Sequence, residues 1–557
     1  MDEIRIGIFV CHCGTNIGGV IDCKTLAESC KVLPNVVFTQ DNLYTCSETG
    51  LSAIKTGIQE NNLNRVIVAA CTPRTHEPLF RGICQEMGLN PYYFEFVNIR
   101  EQCSWVHMQE HEAAYEKAAE LIKMGVARAA LLEPLEKYSV DVTPSTLVIG
   151  GGIAGMTTSL TIANAGYKVH LIEKKEKLGG LLNELHELFP DNQPAEVLKI
   201  TEKITTHPNI TVYTSTKIND ISGYIGNFEV DIDKDNTDIQ FKVGTVVIAT
   251  GAGVLKPEGL YNYDGKTVIT QLELEGMLKE DKLPKKLDNI AMIQCVGSRC
   301  DDRRYCSTVC CMTALKNSLI LKRKYPEAHV AIIYRDMYTP RTYHEEFYRK
   351  VREEMVTFMR YDTKFPPVVE NGKIRIHHPY YEEDLEMDYD LVVLSVPIVA
   401  NKDSKELSQM LKVPIEENGF FLEKHVKLNP VDFATDGVFL CGITKWPSNI
   451  AETITQGNAA ASHVLRIISK PQVEVEGSTA NIDQDKCIGC EICIKVCPYG
   501  AITKEEGEDG KVFVRDVLCK GCGLCGASCP RNCIKIRHFT NEQISAEIQA
   551  FIESINV

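Results

Sequence analysis

Leu147-Val148-Ile149-Gly150-Gly151-Gly152-Ile153-Ala154-Gly155 is the stretch from which the fold can be read. An apolar run ends in three glycines and gives way at Ile153 to a helical pattern. Positions 150, 152 and 155 satisfy G-x-G-x-x-G. The first glycine permits a tight turn, the second lets the backbone approach a pyrophosphate, and the third packs helix on strand. Backbone N–H groups at the start of the helix then face the anion. Glu173 ends the next apolar run, about 20 residues on, where an acidic side chain accepts ribose hydroxyls. With this strand–helix–strand frame the glycines are more than a ligand-free turn, and the region is α/β with a doubly wound parallel sheet.

The residues after Glu173 read Lys174-Lys-Glu-Lys-Leu-Gly179-Gly180-Leu181. An acidic residue followed by Gly-Gly resembles FAD-binding, disulfide-reductase-like proteins. Val246-Val-Ile-Ala-Thr250-Gly251 resembles their second flavin-domain motif. Phe439-Leu-Cys441-Gly442 with Gln456-Gly457 resembles their last segment, near the isoalloxazine ring. FAD is therefore the expected dinucleotide, held by Gly150, Gly152, Ile153, Ala154, Gly155, Glu173, Lys174, Gly179, Gly180, Leu181, Thr250, Gly251, Gly442, Gln456 and Gly457. Lys445 is a candidate neighbour of the flavin, set against the ordinary reading of a surface lysine.

Reductases with two dinucleotides repeat the glycine fingerprint after a mid-chain strand. Here that strand is Asn289–Gln294, and Cys295-Val-Gly-Ser-Arg-Cys300 and Tyr305-Cys306-Ser-Thr-Val-Cys310-Cys311 follow it. The glycines are missing and cysteines stand in their place, so no NAD(P)H is expected at this position. Cys295, Cys306, Cys310 and Cys311 can supply four thiolates to a cluster, with Cys306 and Cys310 expected on one helix face. Free cysteine also packs as a small apolar residue, but five within so short a stretch argue against packing alone.

Two runs close the chain: Cys487-Ile-Gly-Cys490-Glu-Ile-Cys493-Ile-Lys-Val-Cys497-Pro and Cys519-Lys-Gly-Cys522-Gly-Leu-Cys525-Gly-Ala-Ser-Cys529-Pro. Tandem C-x2-C-x2-C-x3-C-P is the bacterial two-cluster ferredoxin pattern, in which the fourth cysteine of each run ligates the other cluster. Cys487, Cys490, Cys493 and Cys529 form one expected [4Fe-4S] set, and Cys519, Cys522, Cys525 and Cys497 the other. A zinc ribbon would carry two CxxC pairs instead.

Near the N-terminus, Cys11 and Cys13 follow a strand, Cys46 lies in a loop, Cys71 follows another strand and Cys103 stands near a helix start. Strand C-termini of an α/β sheet converge on one edge, so these five are candidates for a further cluster, although their spacing is irregular. Cys23, Cys30 and Cys84 read as core; His12, His76 and His107 read as structural.

With 557 residues, three domains are expected: 1–138, an N-terminal α/β cluster domain; 139–470, the FAD domain, with a second dinucleotide subdomain at about 255–400; and 471–557, a polar linker with the ferredoxin module and a terminal helix. A net charge of −15 argues against a nucleic-acid surface. Of the 23 cysteines, eight sit in the tandem cluster motifs, where ligation needs reduced thiolates, which points to a reducing cytoplasm and an anaerobe. The first residues read as a strand rather than a signal peptide, and no apolar run reaches the roughly 20 residues of a membrane span.

Cys11-His-Cys-Gly14, Ala70-Cys-Thr-Pro-Arg-Thr-His-Glu-Pro78, Asn98-Ile-Arg-Glu-Gln-Cys-Ser-Trp-Val-His107, Ile293-Gln-Cys-Val-Gly-Ser-Arg299 and Tyr305–Cys311 resemble HdrA, the iron–sulfur flavoprotein of heterodisulfide reductase. The resemblance runs in order from residue 4 to about 536. It implies a thioredoxin-reductase-like FAD domain flanked by cluster domains, and clusters at the quartet near the flavin and among the five N-terminal cysteines. It also implies electron bifurcation: a pair from a hydrogenase, formate dehydrogenase or NADH-linked module is divided between ferredoxin and a disulfide reduced on HdrB- and HdrC-like partners. The methanogenic members carry an extra ferredoxin module, absent here between Val212 and Thr250, and cysteines after a Phe-Pro segment; this chain reads Phe189-Pro-Asp-Asn-Gln-Pro-Ala. The alternative reading is a non-bifurcating relay in a quinone-, folate- or aryl-CoA-linked complex. Dimeric complexes suit such proteins, but no residue here indicates one.

Overall fold

The computed structural model describes residues 3–189, 194–378, 383–504 and 510–555. Residues 190–193, in the segment lacking the family's cysteines, lie outside this range, as do the ends of the chain. Two compact units result. Asp141–Val473 is one; Met1–Val140 together with Glu474–Val557 is the other, so the stretches read above as first and third domains fall in one unit.

In the discontinuous unit four parallel strands run in the order Val36–Asn42, Ile6–Cys11, Arg65–Ala70, Phe94–Asn98. Alternation along each strand feeds two cores. Ile6, Ile8, Val10, Ile67 and Ala69 meet the helices Cys23–Ser29 and His111–Ala129 on one face. Phe9, Cys11, Val66 and Val68 meet Glu48–Asn61 and Pro73–Glu86 on the other. The winding direction reverses between the first and third strands, the crevice where open α/β sheets take ligands.

The ferredoxin module pairs Ala480–Ile482 with Ile534–Ile536, and Ile502–Lys504 with Val512–Val514, all antiparallel. Part of the polar stretch 471–480, read as a linker, is strand: Gln472–Val475. The helix Asn541–Ile555 lies along His111–Ala129, where Gln543 Nε2 donates to Leu131 O at 2.9 Å.

A buried charge cluster joins these segments. Arg128 pairs with Glu95, donates to His538 O at 2.6 Å and lies 4.4 Å over the Phe539 ring. Arg81 bonds Glu77 at 2.6 Å and Glu476 at 3.3 Å, and donates to His538 Nε2 at 3.4 Å. Burial, then the facing Arg128 and Arg81, push the His538 imidazole down to about 3. An unfolded histidine takes its proton near 6.5, so the unfolded chain binds more protons between that pH and about 3, and stability is lost as pH falls through this window. Glu95, pushed up to about 7 by burial against the pull of Arg128, titrates with the opposite sign. It is present in both proteins when wild type is compared with His538→Gln. Between pH 7 and 5.5 the wild type is expected to lose about 1.3 kcal/mol more than the variant. Thermal unfolding at the two pH values checks this; equal losses would refute a neutral buried His538.

The continuous unit holds two five-stranded parallel sheets. One runs Val438–Leu440, Thr245–Ile248, Ser145–Ile149, Lys168–Ile172, Ile210–Tyr213. The other runs Val268–Thr270, Leu391–Leu394, Asn289–Ile293, His329–Tyr334, Thr357–Arg360. Each carries a three-stranded antiparallel sheet, Thr216–Val243 and Val368–Asp388. The paired strands Ala252–Val254 and Ile398–Ala400 link the halves. Among the described residues no helix is long and apolar enough to cross a membrane.

Candidate cofactor sites

A cavity of about 1900 Å³ opens at the carboxyl edge of the first sheet and extends to the second half. Gly150, Gly152, Ile153 and Ala154 form its floor. Gly150 sits at φ 110°, and a Cβ there would meet Ala249 O at 2.3 Å. Gly155 lies just outside the cavity: its Cβ would meet Gly150 O at 1.9 Å, so it closes helix on strand. Glu173 is buried at the rim, its carboxylate accepting from Gly151 N at 2.7 Å and Lys175 N at 2.8 Å. Those bonds fix its direction and leave acceptor capacity free.

Lys174, Gly179, Gly180, Leu181, Thr250, Gly251 and Gln456 also line the cavity. Gln456 Oε1 accepts from Gly442 N at 2.9 Å, so Gly442 is held from behind rather than exposed to the cavity. Gly457 lets Ile450–Ile468 press against Ile153–Asn164; a Cβ there would stand 3.0 Å from Ala154 O. The cradle fits a dinucleotide pyrophosphate. Gly150→Ala is expected to abolish flavin retention, since the added methyl collides with backbone and the φ disfavours any side chain. Flavin absorbance of the purified variant checks this, and a full flavin complement would contradict the cradle.

Lys445 does not reach the cavity. Its Nζ donates to Pro430 O at 2.8 Å and pairs with Glu423 at 3.3 Å. The lysine on the wall is Lys316, which residue patterns had not singled out. It is buried on the helix Cys310–Lys324, pairs with the buried Glu275 and donates to Glu187 O at 2.6 Å. Glu275 Oε2 accepts from His186 N at 2.9 Å. A lone lysine among Leu315, Leu319 and Ile320 was the available signal.

The mid-chain strand ends at Ile293, and the expected glycine turn is replaced by Cys295 at φ 62°. Cys295, Cys306, Cys310 and Cys311 stand close enough to repel one another as thiolates. Cys310 also lines the cavity. One expectation is corrected: Cys306 shares no helix face with Cys310. The helix begins at Cys310, and the left-handed turn at Thr308, φ 58°, separates the two. Thr308 N donates to Cys306 Sγ at 3.3 Å. Burial pushes the Cys310 thiol up, and the Cys311 thiol up to about 11. Such a quartet is unfavourable as free thiolates and suits a cationic iron core, which inverts the local charge logic. Beside it, both amide atoms of the buried Gln294 lack partners.

At the switch point of the N-terminal sheet, Cys11, Cys13, Cys46 and Cys71 come together and sense one another's charge. Cys13 N and Thr45 N donate to Cys11 Sγ at 3.3 and 3.4 Å, and Arg100 donates to Cys13 Sγ at 3.4 Å. Thr45 Oγ1 and Arg100 Nε are buried without partners. Cys103 is not brought into this group. Its Sγ donates to Ala114 O at 2.9 Å inside the helix-facing core, and burial pushes its thiol up to about 11. Cys23, Cys30 and Cys84 are buried in the cores. His12 pairs with Asp41 and His107 with Glu110, each at 2.9 Å, while His76 meets the Phe80 ring edge-on.

In the ferredoxin module Cys487, Cys490, Cys493 and Cys529 line one small cavity. Cys525 senses Cys519, Cys522 and Cys497. Both groupings follow the crossed pattern. Among the described residues no three His, Cys, Asp or Glu side chains close on a point as a single metal ion requires; the ligands of a four-iron cluster stand further apart, one to each iron.

Comparison with known proteins matches residues 144–457 to the family described as pyridine nucleotide-disulphide oxidoreductase, and residues 480–536 to the 4Fe-4S dicluster domain. The HdrA protein of the H(2):CoB-CoM heterodisulfide,ferredoxin reductase of Methanothermobacter thermautotrophicus is 37% identical, over 99% of this chain and 98% of its own. That alignment spans 648 positions, more than the 557 residues here, so the relative carries sequence this chain lacks. An iron-sulfur HdrA protein of the CoB--CoM heterodisulfide reductase of Methanopyrus kandleri is 36% identical over 92% of each chain. An HdrA-like protein of Archaeoglobus profundus is 34% identical over 98% of each. With its flavin-type cavity, its dicluster module and this full-length kinship, the chain belongs to the HdrA family of heterodisulfide reductase, oxidoreductase components that transfer electrons through flavin and iron–sulfur centres.

Proposed function

We propose that this chain divides electron pairs at a flavin, within a complex of heterodisulfide reductase type, between ferredoxin and a disulfide or similar acceptor. The observation that carries the reading is the replacement of the second dinucleotide turn by Cys295, Cys306, Cys310 and Cys311, with Cys310 in the cavity wall. FAD, when bound, supplies a carrier that takes electrons in pairs and releases them singly, and each [4Fe-4S] cluster a one-electron carrier.

The chain's own residues prepare the sites. Gly150 and Gly152 admit the pyrophosphate and Glu173 the ribose. Lys316, paired with Glu275, keeps a cation at the cavity wall. Four cluster sites are assigned: Cys11/Cys13/Cys46/Cys71, Cys295/Cys306/Cys310/Cys311, Cys487/Cys490/Cys493/Cys529 and Cys519/Cys522/Cys525/Cys497. Backbone donors such as Thr308 N and Ala501 N aim at ligand sulfurs, a lever on cluster potential.

The partners in this reading are HdrB- and HdrC-like proteins of the same reductase type, ferredoxin, and a hydrogenase, formate dehydrogenase or NADH-linked module, in the cytoplasm of an anaerobe. The sequence present in longer relatives and missing here favours a second reading, a relay without bifurcation in a quinone-, folate- or aryl-CoA-linked complex. Anaerobic affinity purification from the native host, with mass spectrometry of the associated chains, separates the two. A disulfide-reductase-like partner with a hydrogenase, formate or NADH module supports bifurcation. A quinone-linked membrane protein, or a lone substrate reductase, supports the relay.

A further inference from the structure

Eight of the C-terminal module's cysteines fall in the tandem runs; Cys533 is the ninth. It is buried, and its Sγ lies 3.3 Å from Cys529 Sγ. It lines the same small cavity as Cys487, Cys490, Cys493 and Cys529. Its backbone is pinned: Cys533 O accepts from Asp483 N at 2.8 Å, and the paired strand Ile534–Ile536 begins at the next residue. Cys529 instead precedes a short turn, Pro530-Arg531-Asn532, with Asn532 at φ 47°.

The module's internal repeat supplies a control. Four residues after Cys497 the first run places Ala501, buried, with its N–H directed at Cys497 Sγ at 3.3 Å. The sister position therefore does with a methyl what packing requires, and the thiol of Cys533 is an addition to the fold rather than a need of it.

The geometry points to Cys533 as a fifth thiol of the Cys487/Cys490/Cys493/Cys529 cluster, an S–H donor to the Cys529 sulfur and its replacement ligand when that side chain is lost. The inference rests on the ligand set proposed above. No electron is exchanged in the replacement: with no sulfur at position 529, the Cys533 S–H bond breaks, its proton passes to solvent, and the thiolate forms the iron–sulfur bond that the missing side chain would have made. The two halves of the module then differ, one with a reserve ligand and one without.

The test is iron and acid-labile sulfide per full-length chain after anaerobic purification, with EPR spectra of the reduced protein. Cys497→Ala is expected to lose one cluster's worth of iron. Cys529→Ala is expected to keep the wild-type content, and Cys529→Ala/Cys533→Ala to fall as Cys497→Ala does. Cys529→Ala as iron-poor as the double variant overturns the inference. Cys490→Ala separates the underlying ligand set: if iron does not fall there, that set is wrong, and this inference falls with it. Should Cys529→Ala fail to fold, Cys533→Ala decides, since alanine is tolerated at the sister position. Its iron is expected unchanged and one cluster's reduction potential lowered, because a hydrogen bond to sulfur favours the more negative reduced state. Unchanged potentials for both clusters overturn the inference.

Discussion

Replacing Cys306 and Cys310 together with serine is expected to remove roughly a quarter of the iron, one cluster of the four proposed, and leave flavin content intact. The expectation follows from where these cysteines stand. Cys295, Cys306, Cys310 and Cys311 form one mutually repelling group, separate in sequence and sheet from the ferredoxin runs. The flavin cradle, Gly150 to Ala154 with Glu173, belongs to the other half of the cavity. Iron analysis and flavin absorbance on the same anaerobic preparation read both outcomes. Unchanged iron would mean that the quartet is packing, and the reading of the second dinucleotide position would fall with it.

Lys316→Met is expected to cost roughly 3–5 kcal/mol, because it leaves the Glu275 carboxylate buried without its cation. Lys316→Met/Glu275→Leu is expected to recover most of that loss, since a well-packed apolar pair replaces a buried ion pair at little cost. The same lysine lines the flavin-type cavity. A cation there favours any group that gains negative charge, so the bound flavin of a Lys316→Met protein is expected to show a lower reduction potential. Thermal unfolding and an anaerobic redox titration read the two effects apart. A variant as stable as wild type, with the same flavin potential, would place Lys316 outside the functional site.

What was legible in the sequence was local. The glycines and Glu173 lie within one strand–helix–strand unit, and the tandem cysteine runs have fixed spacing, so pattern alone carried them. The N-terminal group was not legible to that depth. Its members come from three strand ends brought together at the switch point, and sequence cannot tell a cysteine facing that crevice from Cys103, which faces the helix-side core. Cys306 and Cys310 were misjudged because residues four apart share a face only inside a helix, and the helix begins between them. Lys445 was named for its place in the Gly442–Pro447 segment and Lys316 was passed over; only packing shows that one turns to Glu423 and the other to the cavity. The joining of N-terminal and C-terminal segments depends on pairs such as Arg128 with His538, far apart in the chain.

The most direct test of the central claim is anaerobic stopped-flow mixing of the flavin-loaded protein with NADH or NADPH, and separately with a reduced one-electron donor such as ferredoxin. The account predicts that neither nicotinamide bleaches the flavin of the isolated chain, and that the one-electron donor does so in the wild type but far more slowly in Cys306→Ser/Cys310→Ser. Rapid bleaching by a nicotinamide, at the same rate in that variant, would contradict it.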